Sequence, residues 1–354
     1  MKRKVFLVSD VHIKNRLWTN FSAVTGDSYI ALKKIASCLA PEDFATSICI
    51  SCGDFFDSNR PSPQDLYEAS AFINKFSKFV YIAGNHDDAS PYLPSTLSGR
   101  CCLLNSDTPV VIDNLHIFGV SHTPSKDRLI ESLQQISEYW NTNKPQGIPV
   151  IILHQALEGI QGNAIISASE LEDIFNFPCK IFIGDTHVNV NVCKSNCDIF
   201  SPGSLVPQNK AEALQDNYIY TIDSFTGDIA RVTLKVRHFV LCEDVTKIPD
   251  FPEPLELPTV CLVRASSIPA EWKSLYPDII FIEYPVTQRT EQTSVTPTVQ
   301  NISLKDAVYE EFRSALPEKS DVLCQIFDRI ENMEDPTELL NKLLTKWGVI
   351  CASD

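Results

Sequence analysis

Five times in its first 190 residues, this chain runs a short, β-rich apolar stretch into a cluster of Asp, Asn or His. VFLVSDVH ends on Asp10 and His12, and SICISCGDFFD on Asp54 and Asp57. KFVYIAGNHDD ends on Asn85, His86 and Asp87, VIILHQ on His154, and KIFIGDTH on Asp185 and His187. Runs this apolar, bounded by Gly and polar residues, predict strands buried on both faces. Helix-like stretches lie between them: YIALKKIASCL behind Asp27 and Ser28 as caps, a second from Ser62-Pro63 to about Phe76, a third at 127–139 and a short fourth at 169–175. Strands alternating with helices predict an α/β domain. In such sheets ligands bind beyond the carboxyl ends of the strands, where every polar cluster falls.

After Ser201-Pro202-Gly203-Ser204 the pattern changes. NYIYTID, Gly227 and ARVTLKVRHFVL predict an antiparallel hairpin that closes the domain. Four segments follow from this reading: a main domain over 1–240, a small strand–helix–strand capping domain over 241–290, a polar linker over 291–304, and an acidic helical segment over 305–354.

Asp10, His12, Asp54, Asn85, His154, Asp185 and His187 form a set of seven oxygen and nitrogen donors, each at a strand end. An Asp-x-His spacing puts both side chains on one side of an extended strand. Asp54 can bridge two cations. A mixed donor set suits Mn²⁺, Fe²⁺ or Zn²⁺ better than Ca²⁺, which prefers oxygen alone. Two such ions clamp the attacking and leaving oxygens of a phosphoryl displacement. One Asp-x-His alone is weak evidence, but five clusters in this order favour a two-metal centre over a set of unrelated caps. Of the remaining histidines, His116 and His238 sit in strand-like runs, and His122 lies in a loop where it can contact substrate.

Asp10-Val11-His12, Gly53-Asp54-Phe55-Phe56-Asp57, Gly84-Asn85-His86-Asp87, His154 and Gly184-Asp185-Thr186-His187 together resemble the motif series of calcineurin-like metallophosphoesterases. GDFFDSNRPS (53–62) and the Ser201–Ser204 turn are similar to SbcD-type nucleases of double-strand-break repair, in a bacterial or phage version. The resemblance implies a calcineurin-like α/β sandwich with a small α/β capping domain and a C-terminal helical segment. It gives one metal to Asp10, His12, Asp54 and His187, and the second to Asp54, Asn85, His154 and Asp185. His86 would stabilise or protonate the leaving oxygen. Asp57 would orient His86 or a metal-bound water, and Asp87 would hydrogen-bond locally. Where the family usually has His, this chain has Asp185, a harder ligand that tilts the site toward Mn²⁺ or Mg²⁺. Lys14, Arg16 and Arg60 are candidate phosphate contacts, and Trp18 is either a stacking platform or a packed core residue.

The resemblance further implies a DNA nuclease subunit, exonuclease and possibly endonuclease. It would pair as a homodimer and dock an SbcC-type coiled-coil ATPase through the helices of 305–354. The competing reading is a stand-alone phosphoesterase for small phosphodiesters. A net charge of −15, from 30 basic and 45 acidic side chains, excludes a passive nucleic-acid binder. It does not exclude DNA held by metals and a few local cations. Twelve cysteines without a secretory leader read as free thiols in a cytoplasmic protein; neither Cys49/Cys52 nor Cys193/Cys197 sits in a zinc knuckle. No apolar run approaches the length of a membrane span.

Overall fold

The computed structural model describes residues 3–284 apart from 19, 40–45, 88, 161–163 and 266. The linker at 291–304 and the helical segment at 305–354 therefore lie outside the described residues.

The chain order is β1 (Lys4–Val8), α1 (Asp27–Ser37), β2 (Ile48–Ser51), α2 (Pro63–Ile73), β3 (Lys78–Tyr81), α3 (Leu93–Leu97), β4 (Cys101–Leu103), β5 (Val110–Ile112) and β6 (Leu115–Val120). It continues with α4 (Lys126–Asn143), β7 (Ile148–His154), α5 (Ala168–Ile174), β8 (Cys179–Gly184), β9 (Val190–Cys193), β10 (Cys197–Ser201), β11 (Tyr218–Asp223) and β12 (Ile229–Thr233). Last come β13 (Phe239–Cys242), β14 (Val260–Val263), α6 (Ala270–Leu275) and β15 (Ile280–Glu283).

Two six-stranded sheets form, in the orders β12-β11-β1-β2-β3-β4 and β5-β6-β7-β8-β10-β9. The period-2 alternation of their strands sorts each side chain to one of two faces. Val5 and Leu7 of β1, Ile48 and Ile50 of β2, and Val150 and Ile152 of β7 enter one core between the sheets. Their neighbours Phe6, Val8 and Cys49 pack outward with Leu32 and Ile35 of α1 and Phe72 and Ile73 of α2. Ile151, Leu153 and Ile181 do the same with Leu129 and Leu133 of α4 and Leu171 of α5. The result is an α/β/β/α sandwich, as the sequence reading expects. The hairpin appears as antiparallel β11–β12, but Phe239–Cys242 leaves it for a third, all-parallel sheet, β13-β14-β15.

Ser62 and Ser167 close capping boxes at α2 and α5, with Asp65 and Glu170 as reciprocal partners. At α1 the expected caps are otherwise engaged. Gly26, at φ 83°, holds the cap position without a side-chain bond. Ser28 instead bonds Lys14, its Oγ accepting from Lys14 N at 3.2 Å and donating to Lys14 O at 2.9 Å. Asp27 is taken by Arg237, whose Nε and Nη2 lie 2.6 and 2.9 Å from its two carboxylate oxygens. Trp18 is buried and stacks on Phe239 at 5.5 Å, its Nε1–H donating to Pro207 O. It is a packed residue, so the stacking role falls away. Cys49 and Cys52 face different cores and share no site.

Candidate metal centre

The five motifs meet at the carboxyl ends of β1, β2, β3, β7 and β8. Asp10, His12, Asp54 and Asp185 all adopt left-handed backbone, with φ of 46°, 44°, 48° and 66°. Such non-glycine conformations cost on the order of 1–3 kcal/mol each and persist where the surroundings over-determine them. Asp10 and His12 are therefore gathered by two consecutive sharp turns of the chain, not by extended alternation. Glycines ahead of the ligands make room. A Cβ on Gly53 would stand 2.3 Å from His154 Nδ1, and one on Gly84 would stand 2.1 Å from Asp54 Oδ1.

Three donor clusters result: Asp10, His12 and His187; Asp10, Asp54 and His154; and His12, Asp57 and His86. Asp54 Oδ2 lies 3.5 Å from His12 Nε2 and 3.4 Å from His154 Nε2. His187 Nε2 is 3.7 Å from Asp10 Oδ1. Asn85 Oδ1 is 3.1 Å from His154 Nε2. Asp185 stands differently: its backbone N–H donates to Asp10 Oδ1 at 3.0 Å, and its carboxylate joins none of the three clusters.

His154 donates Nδ1–H to the Cys52 carbonyl at 2.7 Å, which turns Nε2 toward Asp54. Burial opposes a charge on this ring, but the hydrogen bond and charge of Asp54 and the charge of Asp10 outweigh it and push its pKa up to about 10. His187 rises to about 9 against the same burial penalty, through Glu212 at 3.0 Å and the charge of Asp10. Burial pushes His12 down to about 3. Asp54 is buried, yet His154 holds it below the ordinary carboxylate range, whereas burial raises Asp10.

His12 decides whether cations fit. It is 3% exposed, and neither ring nitrogen has a hydrogen-bond partner. Buried polar atoms are normally paired, so two orphaned nitrogens facing carboxylates are what a metal ligand looks like without its ion. The donors match divalent cations of the Mn²⁺, Fe²⁺ and Zn²⁺ group.

Around this core the other candidates separate. His86 is exposed, and its Nδ1 donates to Asp57 at 2.7 Å, but the acceptor is the backbone carbonyl and not the carboxylate. The Asp57 carboxylate faces Lys14 at 2.5 Å and His12 Nδ1 at 3.7 Å. Asp87 accepts from Gly84 N within its own turn, but also from Phe55 N and Phe56 N of the second motif, so its bonding is not only local. Burial, reinforced by the charge of Asp54, raises its pKa to about 6. Lys14, Arg16 and Arg60 line one open groove of about 530 Å³ together with Asp57. His122 is fixed by its backbone N–H to Ala83 O at 2.8 Å, with its ring 6.3 Å from that of His154.

Glu212 is the residue sequence reasoning missed. It is buried, and beside His187 it accepts from Gln208 N, Asn209 Nδ2 and Ser204 Oγ. A carboxylate on the far nitrogen of a ligand histidine fixes its tautomer and raises its basicity. The Ser201–Ser204 turn positions this loop: Gly203 takes φ 70°, and Ser201 Oγ accepts from Gly203 N and donates to Thr186 O.

The family model of the calcineurin-like phosphoesterases matches residues 3–189. The chain is 26% identical over 192 residues to the DNA double-strand break repair protein Mre11 of Sulfurisphaera tokodaii, covering 50% of this chain and 47% of that one. It is 22% identical over 215 residues to the protein of that name from Methanosarcina acetivorans, covering 56% and 34%. The matches thus span between a third and a half of these relatives. Among solved structures, a putative 5'-nucleotidase from Staphylococcus aureus aligns at a TM-score of 0.41 and 14% identity, covering 66% of this chain and 54% of that one. With more than half of its length matched by the family model, the chain belongs to the calcineurin-like phosphoesterase family.

Proposed function

We propose that the chain is the nuclease subunit of an SbcCD-type DNA repair or processing complex, hydrolysing phosphodiester bonds with two divalent cations, Mn²⁺ foremost. The observation that carries this is the groove of Lys14, Arg16 and Arg60, which opens beside the donor clusters and shares Asp57 with them. A small diester needs no row of cations leading away from the reacting phosphate; a polynucleotide does. The names of the repair-protein relatives point the same way.

Asp10, His12, Asp54 and His187 would hold one cation, and Asp54, Asn85 and His154 the other; Asp185, whose carboxylate stands outside the donor clusters, would complete the second site only by swinging its side chain in. Bound there, the pair supplies Lewis acidity and an activated water. His86 presents Nε2 to the leaving oxygen, because Nδ1 is committed to the Asp57 carbonyl. Lys14, Arg16 and Arg60 take the strand's phosphates, and His122 lies on the His154 side as a further substrate contact. Exonuclease and endonuclease action, homodimer formation and docking of an SbcC-type ATPase through 305–354 belong to this proposal.

The test incubates the full chain with a panel of Mn²⁺, Mg²⁺, Fe²⁺ and Zn²⁺ on end-labelled duplex and single-stranded DNA, beside bis-p-nitrophenyl phosphate. Hydrolysis of both DNA and diester, fastest with Mn²⁺, is expected. Hydrolysis of the chromogenic diester with intact DNA, even with the ATPase partner present, would leave the small-molecule phosphoesterase.

A further inference from the structure

Lys14 and Asp57 are in an unusual position for an ion pair. Ser28 Oγ holds both the N–H and the carbonyl of Lys14, which leaves its side chain as the free arm. Its side chain is 41% exposed at the groove, and that of Asp57 22%. Arg16 and Arg60 line the same groove and make no ion pair among the described residues. Behind the pair, Asp57 Oδ1 stops 3.7 Å short of His12 Nδ1, too long for a hydrogen bond. His12 Nδ1 is left with no partner.

We infer that this ion pair is displaced by substrate: a phosphate of the bound strand, one removed from the scissile phosphate, takes Lys14 from Asp57, and the freed carboxylate closes on His12 Nδ1–H. This rests on the polynucleotide reading above. A partly exposed lysine–carboxylate pair is weak enough to be exchanged, and a phosphate oxygen is an equally good partner for an ammonium. The carboxylate gains a buried N–H that otherwise has none, and its bond to Nδ1 fixes His12 as an Nε2 ligand. Asp57 is thus a positioning residue. Strand binding and ligand orientation become one event, and a diester without a flanking phosphate does not trigger it.

The exchange has a signature that a purely structural pair lacks. Asp57 competes with the strand for Lys14, so Asp57→Asn should tighten binding while Lys14→Met weakens it. Affinity for a short fluorescein-labelled single-stranded oligonucleotide is read by anisotropy with the full chain under chelation, which prevents hydrolysis. Lys14→Met should weaken binding roughly three- to tenfold and lower the slope of log Kd against log salt by about 0.7, the value for one phosphate contact on a single strand. Lys14→Arg should restore both. Asp57→Asn should tighten binding about two- to fivefold, and this gain should vanish in the Lys14→Met background.

If Asp57→Asn tightens binding equally with and without Lys14, the carboxylate acts by simple repulsion and the exchange is wrong. Weaker binding in both single variants would also overturn it, as would no change in either. The nuclease reading fails separately. Tighter binding by Asp57→Asn with no hydrolysis of DNA by the unaltered chain would sink that reading and keep the exchange; hydrolysis with unchanged affinities would do the reverse.

Discussion

His86→Ala should lower the turnover of a phosphodiester by about 10²–10⁴-fold and leave the bound metal unchanged. That range corresponds to about 3–5 kcal/mol of transition-state stabilisation. His86 N–H donates to Asp54 Oδ1 at 2.9 Å, so the residue is tied to the carboxylate proposed to bridge the metals. Its ring meets His12 edge-on at 4.7 Å and is held by the Asp57 carbonyl through Nδ1. A carbonyl can only accept, so Nδ1 carries a proton and Nε2 is turned to the open side. With Nδ1–H spent on the carbonyl, Nε2 accepts in the neutral ring and donates only in the doubly protonated one, so His86 would serve a leaving oxygen as the imidazolium. Activity and metal content measured on the same preparation decide the matter: loss of both would make His86 a ligand, and retained turnover would remove its role. Asp57→Ala would not reproduce the effect through His86, because its carbonyl survives the substitution.

Arg237→Ala should destabilise the fold by roughly 3–5 kcal/mol, the typical cost of leaving a buried charge without its partner. Arg237 is 3% exposed and Asp27 6%. The guanidinium grips Asp27 with two bonds, donates to Thr25 O at 3.0 Å, and donates to Pro258 O at 2.9 Å. One side chain thus ties the first turn of α1 to the segment entering the third sheet. Burial already raises the Asp27 pKa, with Arg237 opposing. Without the arginine the carboxylate must take up a proton or rehydrate. Thermal unfolding should fall by on the order of 10 °C. The double variant Asp27→Ala, Arg237→Met should recover much of the loss, since it removes both charges. A shift of the single variant within a degree or two would show that the pair is dispensable. The functional consequence is local: Thr25 and Asp27 close the loop that carries Lys14 and Arg16.

The main strands were legible because apolar residues buried on both faces leave no other reading, and because each run stops at a polar cluster. The site was legible as residue types at strand ends, but not in its conformation. Asp10 and His12 look like alternate residues of a strand, yet both are left-handed; sterics imposed by the packed site override the local pattern. The α1 caps failed for a related reason: Asp27 and Ser28 have tertiary partners in Arg237 and Lys14. The sequence offers Asp57 as a carboxylate that orients His86 or a metal-bound water, but its contact to His86 is made by the backbone carbonyl, and side-chain chemistry carries no signal for that. Glu212 follows His187 by 25 positions and comes back to it only through the Ser201–Ser204 turn. A carboxylate within reach of a ligand histidine is visible only in three dimensions. The strands β4 and β5, three residues each, are too short for periodicity to register.

The donors gathered at these strand ends suit a centre for two divalent cations. Titration of Mn²⁺ into the metal-free chain, followed calorimetrically in buffers of different ionisation enthalpy, tests it most directly. Without metal, His154 and His187 have pKa values pushed up to about 10 and about 9, so both are protonated at neutral pH. Ligation requires the neutral rings, so binding must expel those protons, and affinity must climb as pH rises toward 9. Two Mn²⁺ per chain and the release of about two protons at neutral pH are expected. One ion or none, or binding without proton release, would contradict a two-cation centre.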